Sequence, residues 1–211
     1  MKKTLLLLFT LSMAFTFSAC VGSVLNSGNS YDIKDDPASG TIAWTFDAAE
    51  PGSTMYEAGA AITKCWTNNV PDMMCSVRTS TGSFQNVQEV AGGDADVALA
   101  MADVVSDGFK GVGKFGDIGQ LNNLRVIGAV YADAGDDAEA LGVKCLLIVN
   151  LDADISLVYA LCKAMNENAA ELAAENALLR DMADPAFLCT QMPIPLHPGA
   201  ERYFSEIGVL P

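Results

Sequence analysis

The chain is 211 residues long and 51% hydrophobic, enough to bury a sizeable core in one domain or two small ones. Its 26 Asp and Glu outnumber 12 Lys and Arg, giving a formal net charge of −14, so its field repels phosphate and excludes a nucleic-acid binder. The same apolar fraction excludes a chain that cannot collapse.

The mean hydropathy of +0.27 is inflated by the first segment. Lys2 and Lys3 precede an apolar run through Leu5, Leu8, Phe9, Leu11 and Phe15 that closes on Phe17, Ser18, Ala19 and Cys20. This is the layout of a secretory signal peptide over 1–19, because the run is shorter than the roughly 18 residues a spanning helix needs. Small residues directly before a Cys resemble a bacterial lipobox, in which Cys20 is acylated and becomes the new N-terminus. Phe17 departs from the usual Leu at the start of that box, and the alternative is an ordinary exported protein with an incidental Cys. Acylation would hold the protein on the periplasmic side of a bacterial membrane. Residues 20–40, with their Ser, Asn, Gly and Asp, read as the lipidated Cys and a flexible tether. The folded part is then 41–211.

From Thr41 the pattern alternates. A β-type run over 42–46 is followed by Met55, Ala58, Ile62, Cys65 and Trp66 at helical spacing. A second strand is predicted over 75–79, with a helical stripe of Phe84, Val87 and Val90 after it. A third strand over 97–101 leads to a short helix over 103–109, and a fourth strand spans 125–131. Strand–helix–strand alternation of this kind predicts a mainly parallel sheet flanked by helices, an α/β fold. The last third adds a strand over 143–150 and a helix with Asp154 at its cap and Ile155, Val158, Cys162 and Met165 on one face. An Ala- and Leu-rich helix is predicted over 167–182. Pro193, Pro195 and Pro198 make the start of the 191–211 tail extended, with a short helix over 200–206.

Several motifs resemble chemistry without the context that chemistry needs. Gly111, Gly113 and Gly116 satisfy G-x-G-x-x-G, but a helix precedes them, a loop follows, and Phe115 stands where a phosphate loop places Ser or Thr. Asp133, Asp136, Asp137 and Glu139 crowd one segment with a spacing unlike a calcium-binding EF-hand, which reads as solvated surface. His197 is the only histidine, so neither a triad nor a His-rich metal site can be built, and packing or hydrogen bonding is its reading. Beyond Cys20, an odd five cysteines remain and none forms C-x-x-C. Cys65 and Cys75 flank a helix-to-strand loop and are the pair that spacing favours; two buried thiols are the alternative. Met73 and Met74 read as core. No residues assemble into an active site, and neither metal nor cofactor is called for.

Two stretches carry a family signal. The first is Gly52-Ser53-Thr54-Met55-Tyr56 with Gly59 through Trp66, continued by Val70-Pro71, Ser80-Thr81-Gly82-Ser83, Asn86-Val87, Gly93 through Ala100 and Asp103-Val104. The second is Leu157-Val158-Tyr159, Lys163-Ala164, and Met192-Pro193-Ile194-Pro195-Leu196-His197-Pro198-Gly199-Ala200 through Tyr203. Together they resemble the TAXI family of solute receptors for TRAP transporters, over roughly 41–131 and 143–208. The resemblance implies a type II periplasmic-binding-protein lobe that binds a small solute, such as an amino acid or carboxylate, and hands it to a sodium-coupled membrane permease. In that family the chain visits a second lobe after the fourth strand and returns. Here an acidic segment leads straight from Tyr131 to Val143, so the resemblance implies one lobe alone. The site residues it implies are Gly52, Ser53, Tyr56, Gly82, Ser83, Asn86 and Asp103, at the loops beyond the strand ends.

The departures from the family matter equally. A Thr-Gly-Gly type loop after the first strand is replaced by residues 47–53 with Asp47 and Glu50, and Met101 stands where Gln is common. A solute carboxylate would be drawn to helix N-termini near Ser53 and Ser83, but Asp47 and Glu50 would oppose it. The solute is then neutral or cationic, or binding has decayed. One open face also covers less of a ligand than the 70–90% typical of good sites. A homodimer partner or another protein is the natural cover for the bare face. The alternative reading is a degenerate single lobe serving as a protein-interaction module without a small-molecule ligand.

Overall fold

The computed structural model describes residues 40–133 and 143–211, and its compact unit runs from Ser39 to Pro211. The predicted leader, Cys20, the tether, and Asp136, Asp137 and Glu139 lie outside the described residues.

Strand β1 (Ile42–Asp47) leads through helix α1 (Thr54–Asn69) to β2 (Met73–Arg78), and α2 (Ser83–Gly92) leads on to β3 (Val97–Met101). Helix α3 (Ala102–Lys110) and a short 3-10 turn (Gly113–Phe115) precede β4 (Leu124–Asp133) and β5 (Val143–Asn150). Helices α4 (Ile155–Glu167), α5 (Ala169–Glu175), a 3-10 segment (Ala177–Ala183), α6 (Pro185–Cys189) and α7 (Pro198–Glu206) complete the chain. The sheet order is β2-β1-β3-β5-β4. Strand β1 pairs in parallel with both β2 and β3, whereas β5 runs antiparallel between β3 and β4. The fold is an α/β sheet flanked by helices on both faces, the architecture of a single periplasmic-binding-protein-like lobe.

The apolar pattern explains the layering. Strands β3 and β5 are covered on both faces, so they read as continuous apolar runs rather than alternating ones. Val97, Leu99, Leu147 and Val149 point to the side of α1, α4 and α7, where Phe46, Ile62, Trp66, Leu161 and Phe204 are fully buried. Ala98, Ala100, Leu146 and Ile148 point to the other side, against Val87 and Val90 of α2, Val105 of α3, and Phe115. Ala58, Ile62, Cys65 and Trp66 form the buried stripe of α1, and the Trp66 indole N–H donates to the Leu161 carbonyl at 3.2 Å.

Four expectations need correction. The helix predicted over 167–182 is broken twice. Asn168 leaves helical geometry and its amide donates to the Ala164 carbonyl (2.8 Å), and the Asn176 side chain accepts from the Leu178 N–H (3.1 Å). The final helix starts at Pro198 rather than at residue 200, because proline fits the first helical position and His197 caps it. Met74 is 60% exposed, since β2 is an edge strand and α2 meets this face only towards its other end, at Arg78. Cys65 and Cys75 are not bridged. Both are thiols, with Cys65 turned to the Ala164 carbonyl of α4. Burial pushes the Cys65 and Cys75 thiols up to about 11.

His197 has the structural role its sequence suggested. It is fully buried, its Nδ1 accepts from the Gly199 N–H (3.1 Å), and its Nε2 lies 3.3 Å from the Leu151 carbonyl. An Nδ1 that accepts from an amide leaves the proton on Nε2, so the ring is neutral, and burial holds its pKa below the usual histidine value. Its own N–H donates to the Val126 carbonyl (2.8 Å), while the Val126 N–H donates to Pro195 (3.1 Å), so the extended tail covers the β4 edge.

The tail is seated by Gly199. A Cβ there would lie 2.3 Å from the Ile155 carbonyl oxygen and 2.9 Å from the Tyr159 nitrogen, both rigid backbone atoms of α4. Gly199→Ala must therefore push α7 away from α4, and about 3 kcal/mol of stability should be lost. A fall in the urea midpoint at unchanged slope checks this; a midpoint equal to wild type would mean α7 is not held so closely.

Candidate functional site

The ends of β1, β2 and β3 feed three loops that one buried residue ties together. Asn86, on α2, is fully buried, and its amide nitrogen donates to the carbonyls of Asp47 (3.3 Å), Ala48 (2.6 Å) and Leu99 (2.6 Å). Ser80 adds a hydroxyl bond to the Ala48 carbonyl (3.0 Å) and accepts from the Gly82 N–H (3.2 Å). The Ser83 hydroxyl accepts from the Met101 N–H (3.0 Å), which fixes the start of α2 against the end of β3. Gly82 has φ +103, a conformation that L side chains rarely adopt, and this lets the chain turn from β2 into α2.

The first loop ends in a conventional cap. Ser53 accepts from the Tyr56 N–H at 3.2 Å, and Gly52 before it has φ +84. Asp103 lies exposed in the first turn of α3, two residues beyond the amide that Ser83 holds. The structure thus brings the loops of Gly82, Ser83 and Asn86 together by direct hydrogen bonds, with Gly52, Ser53 and Tyr56 on the adjoining β1–α1 connection and Asp103 on the β3–α3 connection. Asn86 has no exposed surface, so any effect on a solute passes through the loops it holds.

The expected opposition of Asp47 to an anion is not what the geometry gives. Phe46 faces α1, so the next residue, Asp47, faces α2, and it is fully buried there. Its register partner Arg78 grips it through Nε (2.6 Å) and Nη2 (2.8 Å), and the same Nη2 also binds Glu89 of α2. Burial pushes the Asp47 carboxyl up, against the lowering pull of the Arg78 hydrogen bond. Glu89 is held low by its coupling to Asp47 and by the Gln85 amide, which donates to it. This ion cluster staples β1, β2 and α2, and Glu50 is the carboxylate left exposed on the loop. Sequence reasoning missed the staple, although the parallel register that sets residues 47 and 78 side by side follows once β1 and β2 are paired.

A groove of about 530 Å³ lies elsewhere, between Gly52 with one side of α1 (Thr54, Glu57, Ala60, Ala61) and Glu175, Asn176, Ala177 and Leu178 where α5 passes into the 3-10 segment. Of the predicted site residues only Gly52 lines it. The groove was hidden by reading 167–182 as one helix, and the Asn176 break was its one sequence signal. Among the described residues, no three His, Cys, Asp or Glu side chains are grouped to hold a metal ion, and no helix is long and apolar enough to cross a membrane.

Compared with family models, the chain matches the NMT1-like family over 46–136 and 130–208, two stretches that overlap over 130–136. It belongs to the NMT1-like family. This is a family of periplasmic solute-binding-like proteins, typically not enzymes, which implies a small solute, a membrane transporter as partner and an extracytoplasmic setting. Compared with curated proteins, the chain finds no match.

The staple makes a pH-dependent prediction. Arg78→Met leaves Asp47 buried without its cation and should cost about 3 kcal/mol at pH 7. A buried carboxyl with a raised pKa destabilises the fold only when ionised, so the loss should shrink from pH 7 to pH 4 as Asp47 takes up a proton. Adding Asp47→Asn should recover part of the loss. Urea unfolding of the single and double variants checks this, and a loss independent of pH would contradict it.

Proposed function

We propose that this protein is a lipid-anchored, extracytoplasmic solute receptor of the TAXI type, reduced to one lobe and serving a TRAP-type permease. The observation that carries the reading is the direct closure of β4 on β5. Asp133 stands opposite Val143, so residues 134–142 alone join the two strands at the point where the resemblance puts a second lobe. The two family matches overlap there as well, over 130–136.

The proposed solute site lies on the loops beyond β1, β2 and β3, at Gly52, Ser53, Tyr56, Gly82, Ser83 and Asp103, with Asn86 beneath them. Ser53 and Gly82 place the starts of α1 and α2 at this edge, where unpaired N–H groups favour an electron-rich group on the solute. With Asp47 tied to Arg78, the repulsion that would exclude a carboxylate is reduced to Glu50. A neutral or zwitterionic solute such as an amino acid fits that balance. Cys20 is the proposed acylation site, holding the domain on the periplasmic side of the membrane.

A lone lobe leaves this edge without a facing wall, which supports a second reading: a second copy or another protein covers it, with no small-molecule ligand. Thermal unfolding of the chain from Val21 to Pro211 separates the two. A solute at one hundred times its Kd should add about 2.7 kcal/mol and raise Tm by several degrees. Among amino acids, dicarboxylates and amines, at least one compound should do so, and Ser83→Ala or Tyr56→Ala should abolish the shift. A cooperative transition that none of these compounds moves would favour the covered-face reading.

A further inference from the structure

We propose that the groove between α1 and the α5 to 3-10 connection binds a protonated primary alkylamine, independently of the strand-edge site. Its two walls both belong to this lobe, so unlike the strand edge it needs no second lobe to enclose a ligand. Its volume of about 530 Å³ lies within the roughly 300–1,000 Å³ of small-molecule sites.

The lining selects the charge. Among the described residues no Lys, Arg or His lines the groove, whereas Glu57 and Glu175 do. Lys64 grips both oxygens of Glu175 at 2.9 Å, so that carboxylate is matched. Glu57, one turn into α1, forms no ion pair among the described residues and is the carboxylate left for a ligand cation. The rest of the lining selects shape. Ala60, Ala61 and Ala177 offer short apolar side chains, and Leu178 stands 43% exposed at the rim. An ammonium on Glu57 with an alkyl chain laid over the alanines towards Leu178 satisfies both features. An alkyl carboxylate of equal length meets like charge at Glu57.

The test is calorimetric titration of the chain from Val21 to Pro211, which keeps the whole compact unit, with n-pentylammonium chloride against sodium pentanoate at matched ionic strength. The amine should bind saturably and pentanoate should not. Glu57→Gln, on an exposed residue, should weaken amine binding about fivefold, the upper range for an accessible ion pair. Ala60→Trp should fill the groove and abolish binding, while Ser83→Ala, at the strand edge, should leave it unchanged. Absence of saturable amine binding, equal binding of pentanoate, or wild-type affinity in both groove variants would overturn the proposal. Loss in Ser83→Ala with retention in Ala60→Trp would also overturn it, and would place the amine at the strand-edge site instead.

Discussion

Strand β5 is the constraint on which the rest of the lobe depends. It enters antiparallel between β3 and β4, and Cys145 through Val149 are fully buried between the two helical layers. Without it, β3 would end the parallel half of the sheet with an unpaired apolar edge, and β4 would have no partner strand. The chain then crosses from β5 through the Leu151 turn into α4, which receives the Trp66 indole on one side and the backbone of α7 at Gly199 on the other. The C-terminal third is therefore not an appendage. It completes the core that the first three strands begin, and it does so without any contribution from a second lobe.

Completeness of the core and openness of the site follow from the same topology. All three forward strands deliver their loops to one edge, and Asn86 and Ser83 hold those loops in a fixed relation from below. The edge is thus organised by buried bonds rather than by a ligand or a facing domain. Electrostatics were arranged differently from what composition alone suggested. A chain of net charge −14 directs Asp47 away from the loops and pairs it with Arg78, at the β2 edge. The acidic character that remains near α1 is carried by exposed residues, Glu50 and Glu57.

Much of this was legible in the sequence, and the misses have local causes. The strands at 97–101 and 143–150 were readable to the residue because continuous apolar runs between polar punctuation have few alternative settings. Asp154 announced its helix by capping it. The 167–182 segment was misread because its Ala- and Leu-rich periodicity continues through Asn168 and Asn176, whose side-chain bonds to the backbone end one helix and begin a tighter one. The direction of β5 was not readable, since a buried apolar strand has the same composition either way. Met74 failed because burial depends on whether a helix reaches the sheet edge, which is a tertiary fact. Within the site, Ser53 and Ser83 were readable as residues at helix starts, while the turn at Gly82 and the bond of Ser83 to Met101 were not. The inward engagement of Asn86 and the Asp47–Arg78 staple appeared only with the strand register.

The central claim is that one lobe of a solute-binding fold stands complete by itself. Equilibrium urea unfolding of the Ser39–Pro211 unit, followed together by far-ultraviolet circular dichroism and tryptophan fluorescence, tests it most directly. The account predicts one transition, coincident in both signals and independent of protein concentration. Separated transitions, or a midpoint that rises with protein concentration, would contradict it by showing that the lobe needs a covering partner to hold its fold.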